Sequence, residues 1–264
     1  MSDASRIDRS FAAHPGTTGL IPFITAGYPS LPESLEMLRG FARLGARAVE
    51  IGIPFSDPIA DGPDIQRASE HALRNGVSAD SALELVAALR RESELPVVIM
   101  TYANPVVRPG IDAFARSARA AGVDGALLSD LPPDESPEIW EALDRHGIET
   151  VVLIAPTTSD ARVPRLLSRA RGFVYCLART GVTGGGEGER GALPDRIAAL
   201  RRGTRLPIAV GFGIAGPDDA RRLRGVADAV VVGSAFMRAV AEDPARGAAA
   251  RVLELAERLI RVLN

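Results

Sequence analysis

The chain has 264 residues, is 46% hydrophobic and 24% charged, and carries a formal net charge of −2, which fits one soluble α/β domain of barrel size and offers no basic surface for nucleic acid or anionic membranes. All 31 basic residues are Arg, there is one Cys (Cys176), and there are three His (His14, His71 and His146). Without Lys there is no lysine Schiff base, no covalent PLP anchor and no Walker A site, and a lone Cys excludes internal disulfides and CxxC metal or redox sites.

The first sixteen residues are polar and lack an apolar signal core, so a cytoplasmic protein is expected. A helix over 6–13 precedes eight short apolar runs at 20–24, 48–52, 96–101, 125–128, 150–154, 173–176, 208–211 and 229–232. Between and after them lie helical periodicities at 31–44, 78–91, 111–121, 134–146, 160–169, 193–202, 217–224 and 244–263. Ser78 and Gly216-Pro217-Asp218 read as helix starts, and Gly45, Gly122, Gly147 and Gly225 as helix ends. Eight strand–helix units predict a (β/α)8 TIM barrel over 1–264, with an extra N-terminal helix and long loops after strands 2 and 6. A doubly wound open sheet is disfavoured because no run carries a GxGxxG turn. The segment after strand 2, 52–75, is expected to include a short helix.

Loops that follow barrel strands form the catalytic face. Glu50 interrupts an apolar strand near its C-terminal end and so points into the mouth, where burial raises a carboxyl pKa, or else pairs with an Arg. Asp61, in the following loop, is either a turn former or its partner in dividing acid and base roles. Tyr175 stands beside the end of strand six, with its phenol either in the mouth or packed away. Glycine clusters at 181–184, 211–214 and 233–235 follow strands, and the last two sit where barrels bind phosphate through backbone N–H groups. The three His lie away from strand ends and read as structural, Cys176 as a buried small hydrophobe, and Trp140 as a packing anchor.

Together, Ile21-Pro22-Phe23-Ile24-Thr25-Ala26-Gly27-Tyr28-Pro29, Glu50-Ile51-Gly52-Ile53-Pro54-Phe55-Ser56-Asp57-Pro58, Ala60-Asp61-Gly62-Pro63, Met100-Thr101-Tyr102, Asp130-Leu131-Pro132, Arg179-Thr180-Gly181-Val182-Thr183-Gly184 and Gly211-Phe212-Gly213-Ile214 resemble the tryptophan synthase alpha chain family. The resemblance runs from about Phe11 to the final helix. It implies cleavage of indole-3-glycerol phosphate to indole and glyceraldehyde 3-phosphate, with no metal and no cofactor in this chain. The catalytic residues implied are Glu50 and Asp61. Phe23, Leu127, Tyr175, Thr183 and Phe212 would bind substrate, and Gly184, Gly213, Gly233 and Ser234 its phosphate. The family passes indole to a PLP-containing beta chain in an alpha2beta2 heterotetramer, which implies a partner-facing loop with Pro54 and Asp57, and a lid over 181–191. Ser129 departs from the small apolar residue frequent in the family's indole pocket and either hydrogen-bonds substrate or satisfies the strand end. Three further readings are another phosphate-binding barrel with Glu50 as sole base, a stand-alone lyase, and a non-catalytic regulatory barrel.

Overall fold

Apolar runs of four to seven residues pair side by side, all in parallel. In the computed structural model, which describes residues 4–178, 193–211, 213–242 and 247–264, β1 (Gly19–Thr25), β2 (Val49–Gly52), β3 (Val97–Thr101), β4 (Gly125–Leu128) and β5 (Glu149–Thr150) are hydrogen-bonded in that order. The series β6 (Val152–Ile154), β7 (Val174–Leu177), β8 (Ile208–Gly211) and β9 (Ala229–Val232) continues it, and β9 returns to β1 with Gly19 opposite Ala229. The last two segments of the fifth apolar run, β5 and β6, are one strand interrupted at Val151, whose N–H still donates to the Ala126 carbonyl at 2.9 Å. The sheet is therefore an eight-stranded parallel barrel of the TIM type, as the spacing predicted.

The helices are α1 (Arg6–Ala12), α2 (Leu31–Arg43), α3 (Pro63–Arg74), α4 (Ala79–Arg90), α5 (Ala103–Val107), α6 (Ile111–Ala121) and α7 (Pro137–Arg145), then α8 (Val163–Arg169), α9 (Leu193–Gly203), α10 (Pro217–Arg221), α11 (Ser234–Ala241) and α12 (Ala248–Leu263). Three differ from expectation. The helix after strand 2, α3, is not short: it has 12 residues, and it reads weakly in sequence because it buries only the small residues Ala68, Ser69 and Ala72. The five-residue α5 and the eight-residue α11 follow their strands too closely for a periodic pattern to register. Ser78 caps α4 as predicted, accepting the Ser81 N–H at 3.2 Å. The expected end glycines 45, 122, 147 and 225 all have positive φ, and at Gly122 the left-handed turn lets its N–H bond back to Ala118 and Arg119 carbonyls. No helix among the described residues is long and apolar enough to cross a membrane.

Strand alternation sends one set of side chains outward to the helices and the other inward. The inward set, including Ile21, Ala48, Val98, Leu127, Val151, Phe173, Tyr175, Ala209, Ala229 and Val231, fills the barrel. The N-terminal helix α1 closes the bottom: Ile7 is fully buried, and the Phe11 ring lies 6.0 Å from that of Phe173. Beneath the same face, buried Asp124 takes Arg6 and Arg90 at 3.0 Å each and the Val97 N–H at 2.8 Å. The outer ring closes where α12 lies on α2, a crossing in which Gly40 leaves room for Leu253.

Candidate active site

At the C-terminal ends of the strands lies a cavity of about 290 Å³. Of the expected site residues, Phe23, Glu50, Asp61, Tyr175, Gly213, Gly233 and Ser234 all line it. Thr183, Gly184 and Phe212, with the expected lid, fall outside the described residues. Leu127, expected to bind substrate, points inward but does not line the cavity; it belongs to the apolar cluster against which the lining residues Met100, Leu153 and Leu177 pack.

Glu50 owes its position to strand parity. Val49 and Ile51 face the helices, so Glu50 between them faces the interior, in register with Phe23 on β1 and Val98 on β3. Both carboxylate oxygens are buried without a hydrogen-bond partner. Taking that charge out of water pushes the pKa from 4.5 up to about 8. An Arg partner is not what holds it: Arg47, which precedes the same strand, donates instead to the Ser10 carbonyl at 2.9 Å and to the Thr17 hydroxyl at 3.0 Å. The Tyr175 phenol is turned into the barrel, and burial together with the nearby Glu50 charge keeps it protonated well above its ordinary pKa.

Glycines make room for the rings. A Cβ on Gly52 would stand 2.6 Å from the Phe23 ring, and one on Gly233 would stand 3.1 Å from it. Since β1 lies between β2 and β9, these glycines flank Phe23 from both neighbouring strands. A Cβ on Gly211 would collide with the Tyr175 phenol oxygen.

Asp61 hangs over the cavity on the loop between β2 and α3. Its main chain is tied down by its N–H to the Pro58 carbonyl at 3.0 Å and by the Gln66 side-chain amide to its own carbonyl at 2.9 Å. The preceding Ala60 N–H donates to the Tyr102 phenol at 3.0 Å. Burial raises the Asp61 pKa to about 6, while a hydrogen bond from Tyr102 opposes the rise. Glu50 and Asp61 thus form two carboxyl groups on one cavity whose protonation separates near neutral pH. Tyr102 and Gln66 were not singled out in the sequence as positioning residues, because they act only through this loop. Farther along the loop Pro54 is buried and Asp57 exposed, Phe55 stacks on Tyr102 with ring centroids 5.0 Å apart, and Ile59 is 85% exposed.

Gly213, Gly233 and Ser234 also line the cavity, the last two at the start of α11. That helix has no side-chain N-cap, so its first-turn N–H groups are available to an anion. At the rim, Arg238 of α11 donates to Asp64 of α3 at 2.7 Å. The three histidines lie elsewhere: His71 contacts the Pro29 carbonyl and His146 the Asp112 carboxylate, each at 3.0 Å, and His14 follows α1. Trp140 is buried and donates to the Leu131 carbonyl at 3.1 Å, and Cys176 is buried.

A family model described as tryptophan synthase alpha chain matches residues 11–262. The tryptophan synthase alpha chain of Chromobacterium violaceum is 48% identical over 237 residues, covering 89% of this chain and 90% of that one. That of Thioalkalivibrio sulfidiphilus is 45% identical over 249 residues, covering 92% and 94%. Among solved structures, tryptophan synthase from Mycobacterium tuberculosis superposes with a TM-score of 0.89 at 34% identity over 99% of both chains. The alpha chain from Legionella pneumophila gives 0.89 at 32% identity over 98% of this chain and 97% of that one. With a match that spans the barrel from Phe11 to α12 and includes the strand and loop that carry Glu50 and Asp61, the chain belongs to the tryptophan synthase alpha chain family.

Proposed function

We propose that this chain cleaves indole-3-glycerol phosphate by a retro-aldol step into indole and glyceraldehyde 3-phosphate. The observation that carries the reading is the fully buried Glu50 carboxyl, unpaired on the cavity wall and held protonated at neutral pH. A protonated carboxyl can donate to C3 of the indole ring, which converts the ring to an indolenium cation with C3 tetrahedral. The Glu50 carboxylate left behind then takes the proton of the hydroxyl on the adjoining side-chain carbon. As that O–H bond breaks, the carbinol becomes the aldehyde, the C–C bond to C3 breaks, and its electron pair restores the aromatic ring. The proton taken from the hydroxyl replaces the one given to C3, so Glu50 ends each turnover protonated, as it began.

The ionised Asp61 accepts the indole N–H and stabilises the cation, a role that suits a carboxyl with the lower pKa of the pair. The apolar wall of Phe23, Met100, Leu153 and Leu177 suits the ring, and the start of α11 suits the phosphate. Thr183, Gly184 and Phe212 are assigned to substrate and lid on the family resemblance alone. No amine catalyst is needed, since the protonated indole is itself the electron sink, which agrees with a chain that has no Lys.

Indole is passed to a PLP-dependent beta chain, and the exposed Ile59 on the loop that holds Pro54 and Asp57 favours that loop as part of the docking surface. The test is indole release from indole-3-glycerol phosphate by the purified chain, alone and with a beta chain added. Release that rises on addition of the partner is expected, and it is lost in Glu50→Gln and strongly reduced in Asp61→Asn. Substantial turnover by Glu50→Gln removes that residue from the mechanism, and release unaffected by the beta chain favours a stand-alone lyase.

A further inference from the structure

Beside the main cavity is a small recess of about 10 Å³, and the two share Phe23, Asp61, Ile65, Met100 and Ser129 as walls. The recess differs from the cavity in its chemistry. Its lining includes Thr25, Thr101 and Ser129, and the hydroxyl oxygen of each is buried without a hydrogen-bond partner. Thr25 and Thr101 are themselves 1% and 2% exposed. Buried hydroxyls are nearly always satisfied in folded proteins, so three unpaired around one small space ask for a common partner. The space matches one water-sized atom, too small for a second ring and large enough for a single hydroxyl or amino group.

Resting on the reaction proposed above, we infer that this recess is a specificity subsite that takes one hydrogen-bonding substituent on the carbocyclic ring of an indole substrate. Asp61 is shared by both spaces and accepts the indole N–H, so the ring edge turned to the recess is the one that bears N1. The carbocyclic position next to that edge is C7. A 7-hydroxyl or 7-amino group can donate to one of the three hydroxyls and accept from another, because each hydroxyl does both. A methyl group at C7 fills the same volume but leaves all three unsatisfied. A hydroxyl at C4, on the opposite edge of the ring next to C3, lies away from the recess. Ser129 is the hydroxyl-bearing residue common to both spaces.

The test titrates 7-hydroxyindole, 7-methylindole and 4-hydroxyindole into the purified chain, followed by ligand-observed NMR. For the wild type, 7-hydroxyindole is expected to bind about three- to tenfold more tightly than 7-methylindole, the span of one net hydrogen bond, and more tightly than 4-hydroxyindole. Ser129→Ala and Thr101→Val, each checked for native circular dichroism, should bring the hydroxyl-to-methyl ratio towards one. Equal or tighter binding of 7-methylindole, an equal preference for 4-hydroxyindole, or a ratio unmoved in both variants overturns the inference and leaves the recess as a place for solvent. The wild-type comparison needs no variant, so it decides even if a variant misfolds. Release of indole from the unsubstituted substrate is measured in parallel. Release without the 7-hydroxyl preference overturns only the subsite, and the preference without release overturns only the proposed reaction.

Discussion

Replacing Glu50 by Gln should stabilise the protein, and by an amount that depends on pH. The folded carboxyl titrates at about 8 against an ordinary 4.5, so between those values the folded state holds a proton that the unfolded state releases. Stability therefore falls as pH rises across that window, by about 1.4 kcal/mol per pH unit. The loss is about 3 kcal/mol by pH 7 and reaches about 5 kcal/mol above pH 8, where both states are ionised. Glutamine has the same shape and no charge at any of these pH values, so it escapes the loss. Urea unfolding of both proteins at pH 5, 7 and 8.5 should give nearly equal midpoints at the lowest pH. At the highest, the variant should be favoured by about 2 M urea for a slope of about 2–3 kcal/mol/M. A difference between the two proteins that does not change with pH refutes a buried, unpaired carboxyl at position 50. The same substitution should abolish indole release, so a side chain that costs the fold stability would be one the proposed chemistry uses.

Activity itself should follow a bell-shaped pH profile. It rises through about pH 6 as Asp61 ionises and falls through about pH 8 as Glu50 loses its proton, whereas a single ascending limb would contradict the two assigned roles. Gly211→Ala should lower kcat/KM on the order of a hundredfold, because the new methyl displaces the Tyr175 phenol; near-normal kinetics would show that the phenol has room to spare. Asp124→Asn should cost about 3 kcal/mol in thermal or urea unfolding by leaving Arg6 and Arg90 without their shared anion. Its kcat/KM should be unchanged because the residue lies at the opposite end of the barrel, and a large kinetic loss would refute that separation.

The strands were legible almost to the residue because two local signals coincide: apolar runs, and glycine-terminated helices before them. What the runs did not reveal is the interruption at Val151, where β5 pairs only with β4 and β6 only with β7. The segment that became α3 read as mostly loop because its buried side chains are small and its other positions polar. Glu50 stood out because a carboxylate in an apolar strand has few structural uses. Asp61 could not be separated from an ordinary turn former in the same way, since the tyrosine that hydrogen-bonds it and its loop, Tyr102, is far away in sequence. Leu127 shows what parity leaves open: alternation gives the direction of a side chain but not its depth, and Leu127 lies in the layer that supports the cavity wall.

Closure of the barrel also sets a timetable for synthesis. The second partner of β1 is β9, so the residues opposite Gly19 and Pro22 are Ala229 and Val232. At a synthesis rate of about 5–20 residues per second, that edge waits roughly 10–40 s for its mate. The same pairing brings Gly233 against Phe23, so the turn that opens α11 and the aromatic wall become neighbours only once β9 has been made. The cavity thus takes shape late, with only α11 and α12 still to be made, and a nascent chain stalled before β9 carries Glu50 and Asp61 without the side of the lining that Val231, Gly233 and Ser234 supply.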